Sequence, residues 1–271
     1  EMQEMQERLV PHCHRMEESM PGPVHVLSFG GGVNSVALMV LLTREKLPLD
    51  EVVFADTGVE VPETYDYLSV AREYLHRFDI PFRTVKKPSG ETLYQTCAKR
   101  RVIPSAVWRW STRDFKVNPI YAYYRTLGGP VNQYVAIAYD EWQRMKDSTA
   151  NYVNNLFPLV DRKLDREDCV AIIRGAGLPI PVKSGCYFCP FNSLERWQWL
   201  SSNHPDLYDN AIALEEQTKH FPKQLLTDQV FRHRAHVTLR ALQHSGFTRE
   251  PDKLETAKLS SATACGGECF T

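Results

Sequence analysis

Apolar runs and amphipathic stretches alternate through the first half of the chain. Val24 to Phe29 reads as a buried strand, and Gly30-Gly31-Gly32 breaks it. Ser35 to Leu42 (SVALMVLL) follows as a helix too apolar for a surface position. Glu51 to Asp56 (EVVFAD) predicts a second strand, Pro62 to Phe78 a helix opened by proline, and Pro81 to Lys86 a third, short strand. Strand, helix, strand, helix, strand implies right-handed crossovers and a parallel sheet. Tyr134 to Tyr139 (YVAIAY) is expected to add a strand and Asp168 to Gly175 a helix. The fold class expected is α/β: a parallel twisted sheet with helices on both faces.

From Pro181 onward the texture changes. Cysteine, proline and aromatic residues rise, and helices are expected at Leu194 to Ser202 and Leu207 to Glu216. Residues 1–23 read as a short polar helix ending near Pro11, then a linker closed by Pro21-Gly22-Pro23. The division is therefore 1–23, 24–180 and a helical region at 181–271. A length of 271 residues with 43% hydrophobic residues suits this arrangement. Net charge is -1, from 32 basic and 33 acidic residues, so bulk charge singles out no polyanionic partner. No apolar run is long enough to span a bilayer and the start of the chain is polar, so no membrane partner and a cytoplasmic location are expected. In that compartment the seven cysteines are not a disulfide framework.

Ser28 to Ser35 closes a strand and opens a helix. Three glycines let backbone N–H groups approach an anion, the helix N-terminus favours negative charge, and Ser35 and Ser28 add hydroxyls. This is neither a Walker A loop nor a dinucleotide fingerprint; an ordinary tight turn is the bland alternative. The stretch resembles the Ser-Gly-Gly-x-Asp-Ser loop of PP-loop ATP pyrophosphatases and phosphoadenylylsulfate (PAPS) reductases. Gly30 stands where that family often has serine, and Asn34 where many members have aspartate. The resemblance implies an adenine nucleotide alpha-hydrolase-like fold, with ATP and Mg2+ as cofactors. It assigns nucleotide contacts to Ser28, Gly30, Gly31, Gly32, Asn34 and Ser35.

Asp56-Thr57-Gly58 with Pro62-Glu63-Thr64 is similar to the Asp-Thr-Gly…Pro-Glu-Thr segment of the PAPS reductase branch. Residues leaving the carboxyl end of a parallel strand line the ligand crevice, so Asp56, Thr57 and Gly58 join the candidate site. Glu63 is explained equally by the dipole of the helix it opens.

From Arg83 to Lys116 nine basic residues face two acidic ones, with Trp108 and Trp110 interleaved. Arginine suits phosphate and indole suits base stacking, although such runs are often solvated faces. Ser111-Thr112-Arg113-Asp114-Phe115-Lys116-Val117-Asn118-Pro119 resembles the family's Cys-Thr-x-x-x-Lys-x-x-Pro signature, with Ser111 in the cysteine position. By that resemblance Lys116 binds phosphate or sulfate oxygens with Arg113 nearby, and Lys116, Arg113 and Asp56 are the candidate catalytic residues. Asp140-Glu141 with Arg144 matches an Asp-Glu-x-x-Arg found in related proteins.

Cys186-Tyr187-Phe188-Cys189 is a CxxC knuckle, and Cys265 and Cys269 form a second close pair near the end of the sequence. A CxxC loop sets two sulfurs within reach of one tetrahedral metal or one cluster edge, so these four are the candidate metal ligands. A redox pair and buried small hydrophobes are the alternatives. All-thiolate sites suit zinc and iron–sulfur alike; the resemblance favours a [4Fe–4S] cluster over Zn2+.

Together these motifs most resemble the DNA phosphorothioation ATP pyrophosphatases of the Dnd and Ssp type, by motif over residues 24–190. That likeness implies splitting of ATP into AMP and pyrophosphate to adenylate a nucleic-acid oxygen, with DNA ahead of tRNA and a cysteine desulfurase as sulfur donor. The alternatives are a PAPS or APS reductase forming sulfite, a tRNA thiolation enzyme, and a catalytically silent nucleotide-binding subunit. Glu268-Cys269 only partly matches the Glu-Cys-Gly-Leu-His tail of the reductases.

Overall fold

A computed structural model describes residues 22–104, 110–218 and 237–248. Five parallel strands form one sheet: β1 (Val24–Phe29), β2 (Glu51–Asp56), β3 (Phe82–Lys86), β4 (Val131–Val135) and β5 (Val153–Leu156), in the order β3-β2-β1-β4-β5. The chain winds outward from β1 through β2 to β3, then returns to place β4 on β1's other side. β1 and β4 therefore flank the topological switch point, where ligands of open α/β sheets bind. The register Ser28↔Val53 and Ser28↔Val135 sets Ser28 beside that point.

Helix α1 (Val33–Arg44) is buried on almost every side, as its unbroken apolar run requires. It packs under one face of the sheet with α2 (Pro62–His76) and α7 (Arg166–Gly175), in a core that includes Phe29, Leu38, Leu42, Phe54, Leu75 and Ile173. Pro62 begins α2, where its missing N–H costs nothing. The opposite face packs Val26, Val53 and Val131 against Ile120 and Tyr124 of α5 (Asn118–Tyr124). Helices thus cover both faces of the sheet.

A third core lies beyond the carboxyl end of β2. It joins Val59 and Val61 to Cys97 of α3 (Leu93–Arg100), Trp110 of α4 (Trp110–Thr112) and Phe115. It also takes in the knuckle residues Tyr187 and Phe188 and the helices α8 (Leu194–Asn203), α9 (Pro205–Gln217) and α10 (Leu239–His244). The C-terminal helices therefore share apolar surface with the segments that leave the carboxyl end of β2. α6 (Pro158–Asp161) is a single turn between β5 and α7.

Most elements lie within two residues of their expected bounds. Two depart. The strand expected at Tyr134 to Tyr139 is β4 at Val131–Val135; it pairs with β1 from Val24↔Val131 onward and leaves the sheet before Ile137. Ile137 and Ala138 are buried in the loop beyond, so their apolar character reflects packing and not strand pairing. β5, a four-residue edge strand reading Val-Asn-Asn-Leu, is too short and polar to stand out in the sequence. The helix expected at 1–23 falls at 1–21 outside the described residues. No helix among the described residues is long and apolar enough to cross a membrane.

Candidate active site

The glycine turn sits at the switch point, and each glycine has its own reason. Gly31 has φ +73, a conformation that L side chains avoid, and a Cβ there would stand 3.0 Å from the Thr64 methyl. Gly32 has an ordinary extended backbone, φ -102 and ψ 175. Its constraint is space: a Cβ would lie 2.6 Å from the Ser184 hydroxyl oxygen. Gly30 has neither constraint, the nearest atom to an added Cβ being Ser35 Oγ at 3.9 Å. The absence of serine at 30 therefore reflects no steric demand.

Ser35 Oγ donates to the Gly32 carbonyl at 2.9 Å, bracing the first turn of α1. Thr64 and Thr57 are 1% and 3% exposed, yet their hydroxyls have no protein partner, and Asn34 Oδ1 is equally orphaned. Buried polar atoms without partners are rare and costly. Two of them, Asn34 and Thr64, lie at the glycine turn and, with α1's free N–H groups, fit a ligand rich in oxygen. Asn34 Nδ2 donates to Glu141 Oε2 at 3.4 Å, and Arg144 pairs with Glu141 at 2.5 Å. The Asp140-Glu141-x-x-Arg144 segment lies on a 3-10 turn (Tyr139–Arg144) just past β4, so this bond spans the switch point.

Asp56 has both oxygens engaged. Oδ1 accepts from Gly58 N–H at 2.8 Å and from the Tyr65 hydroxyl at 2.8 Å, and Oδ2 faces Lys86 at 3.0 Å. Partial burial alone would raise its pKa, but the Gly58 hydrogen bond, Lys86 and Tyr65 outweigh that and hold it below the ordinary carboxylate value. Asp56 thus shapes the Thr57-Gly58 turn, and any contact with a ligand runs through that turn.

Lys116 lies on a π-helical turn, Arg113–Val117, between α4 and α5. Asn118 N–H donates to the Arg113 carbonyl, five residues back. The wider turn admits Pro119, which lacks an N–H and would crowd a regular helix. Lys116 Nζ reaches Glu60 Oε1 at 3.4 Å; its side chain is 42% exposed, whereas that of Glu60 is 1% exposed. Arg113 is exposed and pairs with its neighbour Asp114 at 2.9 Å. Much of the basic stretch is likewise matched: Arg83 to Glu51, Lys86 to Asp56, and Lys87 and Lys99 to Glu91. Six of the nine basic side chains, Arg83, Lys86, Lys87, Lys99, Arg113 and Lys116, are thus paired with acids. Trp108 lies outside the described residues.

Glu60 is the residue that sequence reasoning missed. Its Oε2 accepts the Gly185 N–H at 2.6 Å, while its backbone forms an antiparallel bridge with Cys186. Tyr187 N–H donates to the Val59 carbonyl at 3.0 Å. The CxxC knuckle is thereby stitched to the segment leaving β2, 125 residues away in sequence. Its position inside the Asp56–Thr64 motif was the only available signal. Within the knuckle, Cys189 N–H donates to the Cys186 carbonyl at 3.0 Å, and Asn192 Nδ2 to the Tyr187 carbonyl at 3.0 Å. The two thiols hydrogen-bond each other. That bond is the main cause that brings Cys189 down to about 7, aided by Lys183 and Lys116, while Cys186 is pushed well above the ordinary thiol value.

The structure thus gathers the glycine turn, Lys116, Glu60 and the Cys186–Cys189 pair in one region. The knuckle offers two adjacent sulfurs, which fits one edge of a tetrahedral metal or cluster site. No group of three or more His, Cys, Asp or Glu that would hold a metal occurs among the described residues. Cys265 and Cys269, the other expected ligands, lie outside them.

Residues 24–152 match the sequence model of the phosphoadenosine phosphosulfate reductase domain family. That span takes in strands β1 to β4, the glycine turn, Lys116 and Glu141, and ends before β5 and the knuckle. An uncharacterized protein of Methanocaldococcus jannaschii is 23% identical over 201 residues, covering 68% of this chain and 46% of its own length. The chain therefore spans less than half of that relative. Among solved structures, a phosphoadenylyl-sulfate reductase from Candida auris in a phosphate complex has TM-score 0.44 at 17% identity, over 59% of this chain and 75% of its own. The U34-tRNA thiolase NcsA from Methanococcus maripaludis with its [4Fe-4S] cluster has TM-score 0.39 at 14% identity, over 74% of each chain. The glycine turn and the lysine signature both lie within the stretch, residues 24–152, that is similar to the phosphoadenosine phosphosulfate reductase domain.

Proposed function

We propose that this protein is an ATP pyrophosphatase that adenylates a nucleic-acid oxygen for sulfur insertion, with the DNA backbone as the acceptor. The observation that carries the reading is the packing of the thiol knuckle's leading segment on the glycine turn through Ser184, with Glu60 tying the same segment to Lys116. A sulfur-bearing element seated against a nucleotide-phosphate site is what an enzyme needs when it exchanges oxygen for sulfur. The acceptor oxygen attacks the α-phosphorus of ATP and pyrophosphate leaves. The terminal sulfur of a cysteine desulfurase's persulfide then attacks and AMP departs with that oxygen; a second thiol cleaves the resulting S–S bond, leaving the sulfur on the acceptor and a disulfide behind.

The protein's part is to position groups and neutralise charge. The N–H groups of Gly31, Gly32 and the start of α1 cradle phosphate, with hydroxyls from Ser28, Ser35 and Thr64. Lys116 swings from Glu60 to the transferring phosphate, and Arg113 on the same π turn supplies a second cation. Asn34 spans the switch point to Glu141. Mg2+, bound with the nucleotide, would supply further charge neutralisation beside Lys116 and Arg113. Cys186 and Cys189 would hold one edge of a [4Fe–4S] cluster, which binds or activates sulfur when present; Zn2+ is the alternative occupant.

The family match over residues 24–152 favours a second reading, reduction of PAPS or APS to sulfite. One anaerobic experiment separates them. Protein with Mg2+ and ATP, with and without DNA or tRNA, is expected to release AMP and pyrophosphate, more with DNA. Stimulation by tRNA alone would move the acceptor to RNA. No ATP turnover, with sulfite released from PAPS and a thiol donor, would replace this reading by the reductase one.

A further inference from the structure

Ser184 belongs to the segment that leads into the knuckle, yet it lies on the phosphate turn. Its Oγ stands 2.6 Å from where a Gly32 Cβ would be, and its Cβ lies 4.0 Å from the corresponding point on Gly31. The glycine at 32, with its ordinary backbone, is required by this approach. The segment is also anchored on both sides of the contact. Gly185 N–H donates to buried Glu60 and Cys186 pairs with the Glu60 backbone, while the Lys183 carbonyl accepts from Arg196 at 3.1 Å. Thr64, whose methyl lies 3.0 Å from the same point on Gly31, has a buried hydroxyl with no protein partner, a feature that suits an oxygen-rich ligand.

We propose that Ser184 is a phosphate-binding residue: its hydroxyl donates to the phosphate held on the glycine turn, so that the thiol-bearing segment forms one wall of the nucleotide site. The ligand class is a nucleotide di- or triphosphate, or free pyrophosphate. A serine donates one O–H and turns freely to meet an anion oxygen. Both neighbours of the contact are held by backbone bonds, so Ser184 is presented without an ordering step. Phosphate occupancy and knuckle position are then linked, because one short segment carries Ser184 and Cys186. The inference rests on the glycine turn being a phosphate site, as proposed above.

The test is calorimetric titration of the full chain with inorganic pyrophosphate and with ATP, in wild type and Ser184→Ala. Alanine keeps the Cβ and removes only the hydroxyl, so the melting temperature without ligand should be unchanged. Binding of both ligands should weaken roughly tenfold, the loss of one charge-assisted hydrogen bond. A second measurement guards the geometry. Gly32→Ala should lower the melting temperature, and Ser184→Ala in that background should restore part of it. Wild-type binding that Ser184→Ala leaves intact would overturn the role of Ser184 while sparing the phosphate turn. A wild type that binds neither ligand would overturn both, together with the pyrophosphatase reading. Absence of any Gly32–Ser184 compensation would overturn the contact itself.

Discussion

The glycine turn and the thiol knuckle meet at one site but are built on opposite principles. The turn is a backbone device. Its donors are N–H groups aimed by local φ/ψ, and it follows from nine consecutive residues. The knuckle is a side-chain device. Its two sulfurs are ordinary cysteines until Glu60, Lys116 and Lys183 surround them, and Glu60 and Lys116 come from distant parts of the chain. Backbone sites therefore tolerate side-chain change and fail on added Cβ atoms, whereas the knuckle should behave in the reverse way.

The sharpest break is chemical. Cys186→Ala, isolated anaerobically, should lose all visible cluster absorbance while still binding ATP. An unchanged spectrum removes the cluster assignment for the knuckle.

Next come the glycines. Gly31→Ala forces φ +73 on an alanine and presses its methyl on Thr64. ATP binding should weaken on the order of 100-fold, read by calorimetry. Gly30→Ser, at an unconstrained position, should stay within about twofold of wild type. Equal effects at 30 and 31 would show that the turn's geometry does not govern binding.

A smaller effect separates the two thiols. In metal-free protein, alkylation of Cys189 should rise through a midpoint near pH 7, because the thiolate is the nucleophile and its pKa lies at about 7. Cys186, held protonated, should lag behind. Lys116→Ala withdraws a favourable charge and should shift the Cys189 midpoint upward. A midpoint at the ordinary thiol value, indifferent to Lys116, would dissolve the link between lysine and knuckle.

The smallest effect concerns Asp56. Asp56→Asn weakens the clamp on the Gly58 turn and should cost about 1–2 kcal/mol by denaturant melts. The folded-state pKa is depressed below 3.8, so the carboxylate's contribution is complete above the ordinary carboxylate range. It is lost as pH falls through the folded value. The gap between wild type and variant should therefore close on acidification; a constant gap would mean that the charge is irrelevant.

Periodicity and punctuation alone were enough for the α/β class, the first three strands, α1 and α2, and the glycine turn. These are local decisions. An apolar run that must bury itself, a proline at a helix start and a glycine that must take positive φ are each readable within a few residues. Lys116 was legible only through its motif, because the π turn that aims it follows from Pro119 and not from any hydrophobic pattern. β4's true bounds, β5, the pairing of the basic stretch with acids, the bridging role of Glu60 and the seat of Ser184 on Gly32 were decided by tertiary structure. The physical reason is the same in each case. A buried carboxylate, an edge-strand pairing or a vacant Cβ position is defined by what lies across the gap, and the chain brings Gly185 to Glu60 from 125 residues away.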